Sequence, residues 1–120
     1  MTHEQAFEHA STWIAAWNDH DLDRILAHYA DEIEFVSPFA VRLAGAPDGT
    51  VRGKVALRSY FARALEAYPA LHFHLQFVCA GIRSFTAVYQ SVNGLQAAEV
   101  FELDGEGKVR RVLAHYAPPP

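Results

Sequence analysis

SFTAVYQSVNGLQAAEVFEL, residues 84–103, decides how the chain is read. Asn93-Gly94 is the strongest short hairpin signal available, because a type I′ turn needs two residues tolerant of positive φ. With those two as the loop, Val92 faces Leu95, Gln90 faces Ala97, Val88 faces Glu99 and Thr86 faces Phe101. Directly opposed residues share a face of the sheet. One face then reads Thr86, Val88, Gln90, Val92, Leu95, Ala97, Glu99, Phe101 and Leu103, and it is the face expected beneath helices. An acid there is costly to bury unless it is paired or protonated. Glu99, with Gln90 as diagonal neighbour, is the residue to explain.

On either side of this hairpin the pattern is strand again. LHFHLQFVCAG precedes it and KVRRVLAHYA follows it, both bounded by turn residues. The first half of the chain is helical. Ala6, Phe7, Ala10, Trp13, Ile14 and Trp17 recur at helical spacing, and Thr2 with Gln5 makes a capping box. Asp21 is a good N-cap for a second helix bearing Leu22, Ile25, Leu26 and Tyr29. EIEFVSP reads as a strand stopped by Pro38, and residues 39–52 as an irregular loop long enough to suspect a role at a pocket rim. GKVALRSYFARALEAYP is a third helix, burying Leu57, Tyr60, Phe61, Ala64, Leu65 and Tyr68. Helices first and an antiparallel sheet second is an α+β arrangement, with helices on one face of the sheet. Residues 1–117 are expected as one domain and 118–120 as a short Pro tail.

The chain has 120 residues, 51% of them hydrophobic, with a formal net charge of −4. That mild and scattered acidity leaves no footprint for nucleic acid or an anionic membrane. No apolar run approaches the roughly 20 residues that span a bilayer. The start, MTHEQAFEHA, lacks the basic end and apolar run of a signal peptide, and Cys79 has no partner. A cytoplasmic protein is the expectation.

WIAAWNDHDLDRILAHYADEIEFVSP, GKVALRSYFARAL and AAEVFELDGEGKVRRVLAHYA together resemble the nuclear transport factor 2-like superfamily. The similarity is to its SnoaL-like and ketosteroid-isomerase-like branch and covers nearly the whole chain in order. The resemblance implies a cone-shaped half-barrel: three helices from the N-terminal half on a curved, mostly antiparallel sheet, a pocket between them, and usually a homodimer. It leaves the reaction open, since this fold carries isomerases, cyclases, hydrolases and non-catalytic binders. Carried over by position, the isomerase's hydrogen-bond donor falls on Trp13 and its protonated acid on Glu99, while its general base falls on Ser37. A hydroxyl without a partner base cannot abstract a carbon-bound proton near neutral pH, so classical steroid isomerisation does not carry over. The resemblance also turns Val112, Ala114 and Tyr116 toward the pocket.

The expected site therefore has Glu99 as its catalytic acid/base or hydrogen-bond donor. Trp13, Trp17, Ser37, Phe39, Phe61, Gln90, Phe101, Val112 and Tyr116 are its ligand-binding residues. An aromatic cavity with a few polar groups suits an apolar or ring-bearing small molecule. No cofactor is expected, and no metal. His72 and His74 share a strand face that His115 could join, but they read as exposed while Leu71, Phe73, Leu75 and Phe77 occupy the buried side. Asp19, Asp21 and Asp23 imitate a calcium loop, but Arg24 and Ala30 stand where it needs Gly and Glu. Cys79 reads as a packed residue. The other hairpin face, with Phe85, Ala87, Tyr89, Ala98 and Val100, is too apolar for one that meets only water, and so is expected to form the homodimer.

Overall fold

The computed structural model describes residues 1–120. Helix α1 (His3–Asn18) starts at the anticipated capping box, Thr2 and Gln5 each bonding the other's backbone N–H. Helix α2 (Leu22–Leu26) is capped by Asp21 and strand β1 (Tyr29–Val36) follows directly, so Tyr29 belongs to the strand rather than the helix. Helix α4 (Lys54–Ala67), strand β3 (His74–Ala80), strand β4 (Ser84–Gln90), strand β5 (Gln96–Leu103) and strand β6 (Val109–Ala117) fall where the patterns put them.

The stretch expected as a loop carries two elements. Ser37 caps helix α3 (Pro38–Leu43), its hydroxyl accepting from the Phe39 N–H at 3.2 Å, and strand β2 (Thr50–Arg52) pairs with β1. Ser-Pro is itself a helix-start signal, because a cap hydroxyl precedes a residue whose missing N–H costs nothing in the first turn. Gly49 closes the return at φ 72°, where a Cβ would stand 3.0 Å from the Ser37 carbonyl oxygen.

The six strands form one open mixed sheet in the order β2-β1-β6-β5-β4-β3, antiparallel except where β1 meets β6. Four α-helices pack on it, α1 over β3 and α4 over β1. The α+β half-barrel expectation holds, with α3 added to the three helices anticipated. A hydrophobic cluster of 27 buried residues lies between the two layers. No helix is long and apolar enough to cross a membrane.

The hairpin turns as expected but pairs one residue differently. Asn93 and Gly94 take φ of 56° and 71°. The Ser91 N–H, however, donates to the Leu95 carbonyl while the Leu95 N–H donates to Val92, so Ser91 and Val92 both oppose Leu95. This bulge moves the ladder to Gln90↔Gln96, Tyr89↔Ala97, Ala87↔Glu99 and Phe85↔Phe101. A slip of one residue sends every β4 side chain to the opposite face. Phe85, Ala87 and Tyr89 are therefore buried under the helices, and Thr86, Val88 and Gln90 stand on the outer face. The proposed interface face loses its largest aromatics by this correction.

A second irregularity corrects β3. Its pairing with β4 shifts between Leu75 and Phe77, so Val78 turns inward, while Phe77 is 54% exposed and Cys79 is exposed rather than packed. Phe7, counted in the α1 stripe, is 51% exposed because it flanks the buried line of Ala6, Ala10, Trp13 and Trp17.

Candidate functional site

Glu99 sits in β5, where the burial alternates along the strand and Ala97, Glu99, Phe101 and Leu103 all face inward. Its side chain is 2% exposed. The Tyr89 hydroxyl, brought to the same face by the bulge as a diagonal neighbour, donates to Glu99 Oε1 at 2.6 Å. Glu99 Oε2 has no partner. Burial raises the carboxyl from the ordinary 4.5 to about 7, and the Tyr89 hydrogen bond only partly opposes this. Around it the tyrosines stay protonated. Burial first, then the Glu99 charge, pushes Tyr89 and Tyr116 up, and burial takes Tyr60 to about 12.

These groups border a cavity with only about 50 Å³ of free volume, walled by α1, α3, α4 and the sheet. Of the residues named from the sequence, Trp13, Trp17, Phe39, Phe61, Glu99 and Tyr116 line it. Tyr60, Leu71, Phe73, Tyr89, Ser91 and Val92, none of them among the expected site residues, line it too. Tyr60 was visible on the α4 stripe, whereas Tyr89 and Ser91 were hidden by the bulge. Phe101 and Val112 lie deeper, at 1% and 0% exposure, with Phe101 stacked on Phe85 at 4.7 Å and edge-on to Trp13 at 5.0 Å. Ser37, 1% exposed, caps α3 and has its hydroxyl beside the phenols of Tyr60 and Tyr116. Gln90, expected on the ligand-binding face, stands on the outer sheet face, exposed and away from Glu99, and the neighbour bonded to Glu99 is Tyr89.

The two tryptophans differ in the pairing of their indole protons. Trp13 Nε1 donates to the Tyr29 hydroxyl at 2.8 Å and so has no proton for a ligand. Trp17, one turn further along α1, has a buried Nε1 with no partner. The helical stripe shows that both rings point inward but not which proton is already used.

Helix α3 covers one side. Phe39 packs edge-on against Tyr116 at 4.8 Å and against Tyr68 at 6.2 Å. Arg42 reaches the Tyr68 hydroxyl at 3.2 Å, and Arg63 holds the Leu43 carbonyl at 3.1 Å. A larger hollow of about 590 Å³, between α1, α2 and the 104–108 turn, is an open polar groove. There Arg24 is engaged by Asp19 and Lys108 by the Ala27 carbonyl, whereas both residues with unpartnered buried atoms, Trp17 and Glu99, line the small aromatic cavity. The chemistry points to the cavity. His72 and His74 lie edge to face at 4.7 Å, and no three or more His, Cys, Asp or Glu side chains gather where they could hold a metal ion.

A model of the SnoaL-like domain matches residues 10–117. Among solved structures, a SnoaL-like protein of unknown function from Burkholderia thailandensis superposes with a TM-score of 0.92 at 43% identity, over 97% of each chain. The epoxide hydrolase/cyclase-like enzyme SalBIII, associated with pyran ring formation in the polyether salinomycin, gives 0.76 at 18% identity, over 95% of this chain and 92% of its own. An NTF2-like protein of unknown function from Burkholderia xenovorans gives 0.76 at 16%, over 98% of this chain and 86% of its own. Identities this low show the shared fold alone. No curated protein matches the chain.

Proposed function

The chain belongs to the SnoaL-like domain family, and from that premise we propose that it takes an apolar, ring-bearing metabolite into the aromatic cavity and acts on it through Glu99. The reaction would be an isomerisation, ring closure or addition of water that needs no cofactor. One arrangement carries this reading: a buried carboxyl that burial raises to about 7, on a residue lining the cavity, with one oxygen held by Tyr89 and the other without a partner. General acid–base catalysis is most effective when the group's pKa lies near the working pH. A single carboxyl that gives a proton at one atom and recovers one at another leaves the substrate's electron count unchanged, which all three reactions require. The tyrosines, held neutral by burial, orient rather than titrate.

A second reading has its own support. Ser37 supplies no base, and Glu99 is the only carboxylate on the cavity wall, which suits a protein that holds a ligand without changing it. Metabolite capture from a cell extract, followed by mass spectrometry of the bound and released species, separates the two. Under the catalytic reading the wild type releases a product isomeric or hydrated relative to the captured compound, and Glu99→Gln captures the compound but leaves it unchanged. Equal conversion by Glu99→Gln defeats the role given to Glu99, and unchanged release from both proteins favours pure binding.

A homodimer through the outer sheet face belongs to the same proposal, on a corrected surface. Val88, Ala98, Val100 and Leu113 line its middle, half-buried, with exposed Phe77 at its β3 edge. Such an apolar strip on an open sheet is what an isologous dimer covers. Exposed, unpaired Cys79 suits a reducing compartment and hence a cytoplasmic location.

A further inference from the structure

Two buried side-chain atoms in this molecule lack a hydrogen-bond partner: Trp17 Nε1 and Glu99 Oε2. Both residues line the same cavity, one from α1 and the other from β5. Buried polar groups are nearly always paired, so each orphan in a native structure calls for an explanation. Trp13 shows that this core does pair a buried indole, since its N–H has the Tyr29 hydroxyl.

The chemistry of the two orphans is constrained. An indole Nε1–H can only donate. On Glu99, the Tyr89 hydroxyl already donates to Oε1, so Oε1 is an acceptor and a proton on the carboxyl belongs on Oε2. The protonated site therefore leaves two unpaired donors on residues that line one apolar space, and no acceptor at either orphan. Water could satisfy them, but about 50 Å³ has room for only one or two waters, which an entering ligand would displace. A displaced water leaves no loss only if the incoming group replaces its hydrogen bonds.

We propose that Trp17 is the polar recognition residue of the cavity, and that with Glu99 Oε2 it selects an apolar ring compound bearing an acceptor oxygen, such as a ketone, lactone or cyclic ether. This rests on the reading of the cavity as a ligand site. It narrows the ligand class by excluding the bare hydrocarbon, which would bury both donors unpaired. An unpaired buried donor weakens binding by about tenfold, so the discrimination is large enough to measure. Ligand pockets usually hold several hundred Å³, so entry also requires space to open beside α3, whose Phe39 and Leu43 wall the cavity.

The probes are 1-tetralone and the hydrocarbon tetralin, which share a bicyclic frame and differ by one carbonyl. Titrate the full chain with each at pH 6 and follow the two indole Nε1–H resonances in ¹⁵N-labelled protein. We expect tetralone to bind about tenfold more tightly and to shift the Trp17 resonance, with Trp13 serving as the internal control already bonded to Tyr29. Trp17→Phe should bring the two affinities within about threefold, and the wild-type resonance gives a second readout should that variant fold poorly. Equal affinity for both probes, or tetralone binding with the Trp17 resonance unmoved, overturns the recognition role and leaves the ligand cavity standing. Binding of neither probe at saturating concentration, with no cavity resonance shifted, overturns the cavity reading and this inference with it.

Discussion

Replacing Glu99 with glutamine removes the one carboxyl buried in the core while keeping its shape. Its effect on stability should depend on pH in a direction fixed by the burial. In the unfolded chain the group titrates at about 4.5 and in the folded protein at about 7. The folded state therefore binds the proton more tightly, and stability falls as pH rises between those values. The contribution is fully present below about pH 4.5 and is lost as pH rises through 7. At 1.36 kcal/mol per unit of pKa, the whole shift corresponds to about 3 kcal/mol. With an m-value of about 1.5 kcal/mol/M, this is about 2 M in urea midpoint. Urea unfolding of both proteins at half-unit steps from pH 5 to 8.5 measures it, because other titrating groups contribute equally to both and cancel in the difference. The wild type should lose most of this stability relative to Glu99→Gln across that range. Curves that stay parallel within about 0.5 kcal/mol would falsify the placement of Glu99 in an enclosed apolar cavity.

The neighbouring bonds give further tests. Tyr89→Phe removes the hydrogen bond that favours ionised Glu99, so the midpoint of that pH-dependent loss should move above 7; a downward move contradicts the assignment. Trp13→Phe strands the buried Tyr29 hydroxyl and should cost about 1–3 kcal/mol in urea unfolding. Adding Tyr29→Phe should recover part of that, and strictly additive losses would mean the pair is not coupled. For the outer sheet face, sedimentation equilibrium at micromolar concentration should find twice the chain mass of 13.4 kDa in the wild type and a shift toward the single chain in Leu113→Glu. A wild type already at the single-chain mass removes the dimer.

Much of this architecture was legible because it rests on local chemistry. The caps at Thr2 and Asp21, the stripe carrying Trp13 and Trp17, and the alternation around Glu99 each state their structure within a few residues. The failures share one cause. A strand pattern gives the face of a side chain only relative to its strand neighbours, and a bulge changes that relation without any mark in composition. Gln90 and Tyr89 exchanged places because Ser91 and Val92 share one partner. Phe77 and Cys79 turned outward for the analogous reason in β3. Burial of Glu99 was readable, whereas its bond to Tyr89 and the competition for indole protons between Trp13 and Trp17 depend on tertiary distances that no spacing encodes. Helix α3 stood between. Its Ser-Pro start was present in the sequence, but six residues leave too little periodicity to weigh against a loop.

The bulge at Ser91–Val92 bears on how this pocket can diverge. Hairpin tips are ordinarily the parts of a protein most tolerant of gained or lost residues. Here one residue sets the phase of an entire pocket wall. Loss of the bulge with every residue kept, the pairing re-formed on the plain two-residue turn, would withdraw Tyr89 from Glu99 and present Thr86, Val88 and Gln90 to the cavity. Flattening that one irregularity at the rim could thus exchange a phenol-lined wall for an amide- and hydroxyl-bearing one, with no substitution inside the cavity. On the proposed reading of the cavity, the bulge at the β4–β5 turn would be a determinant of ligand chemistry in its own right.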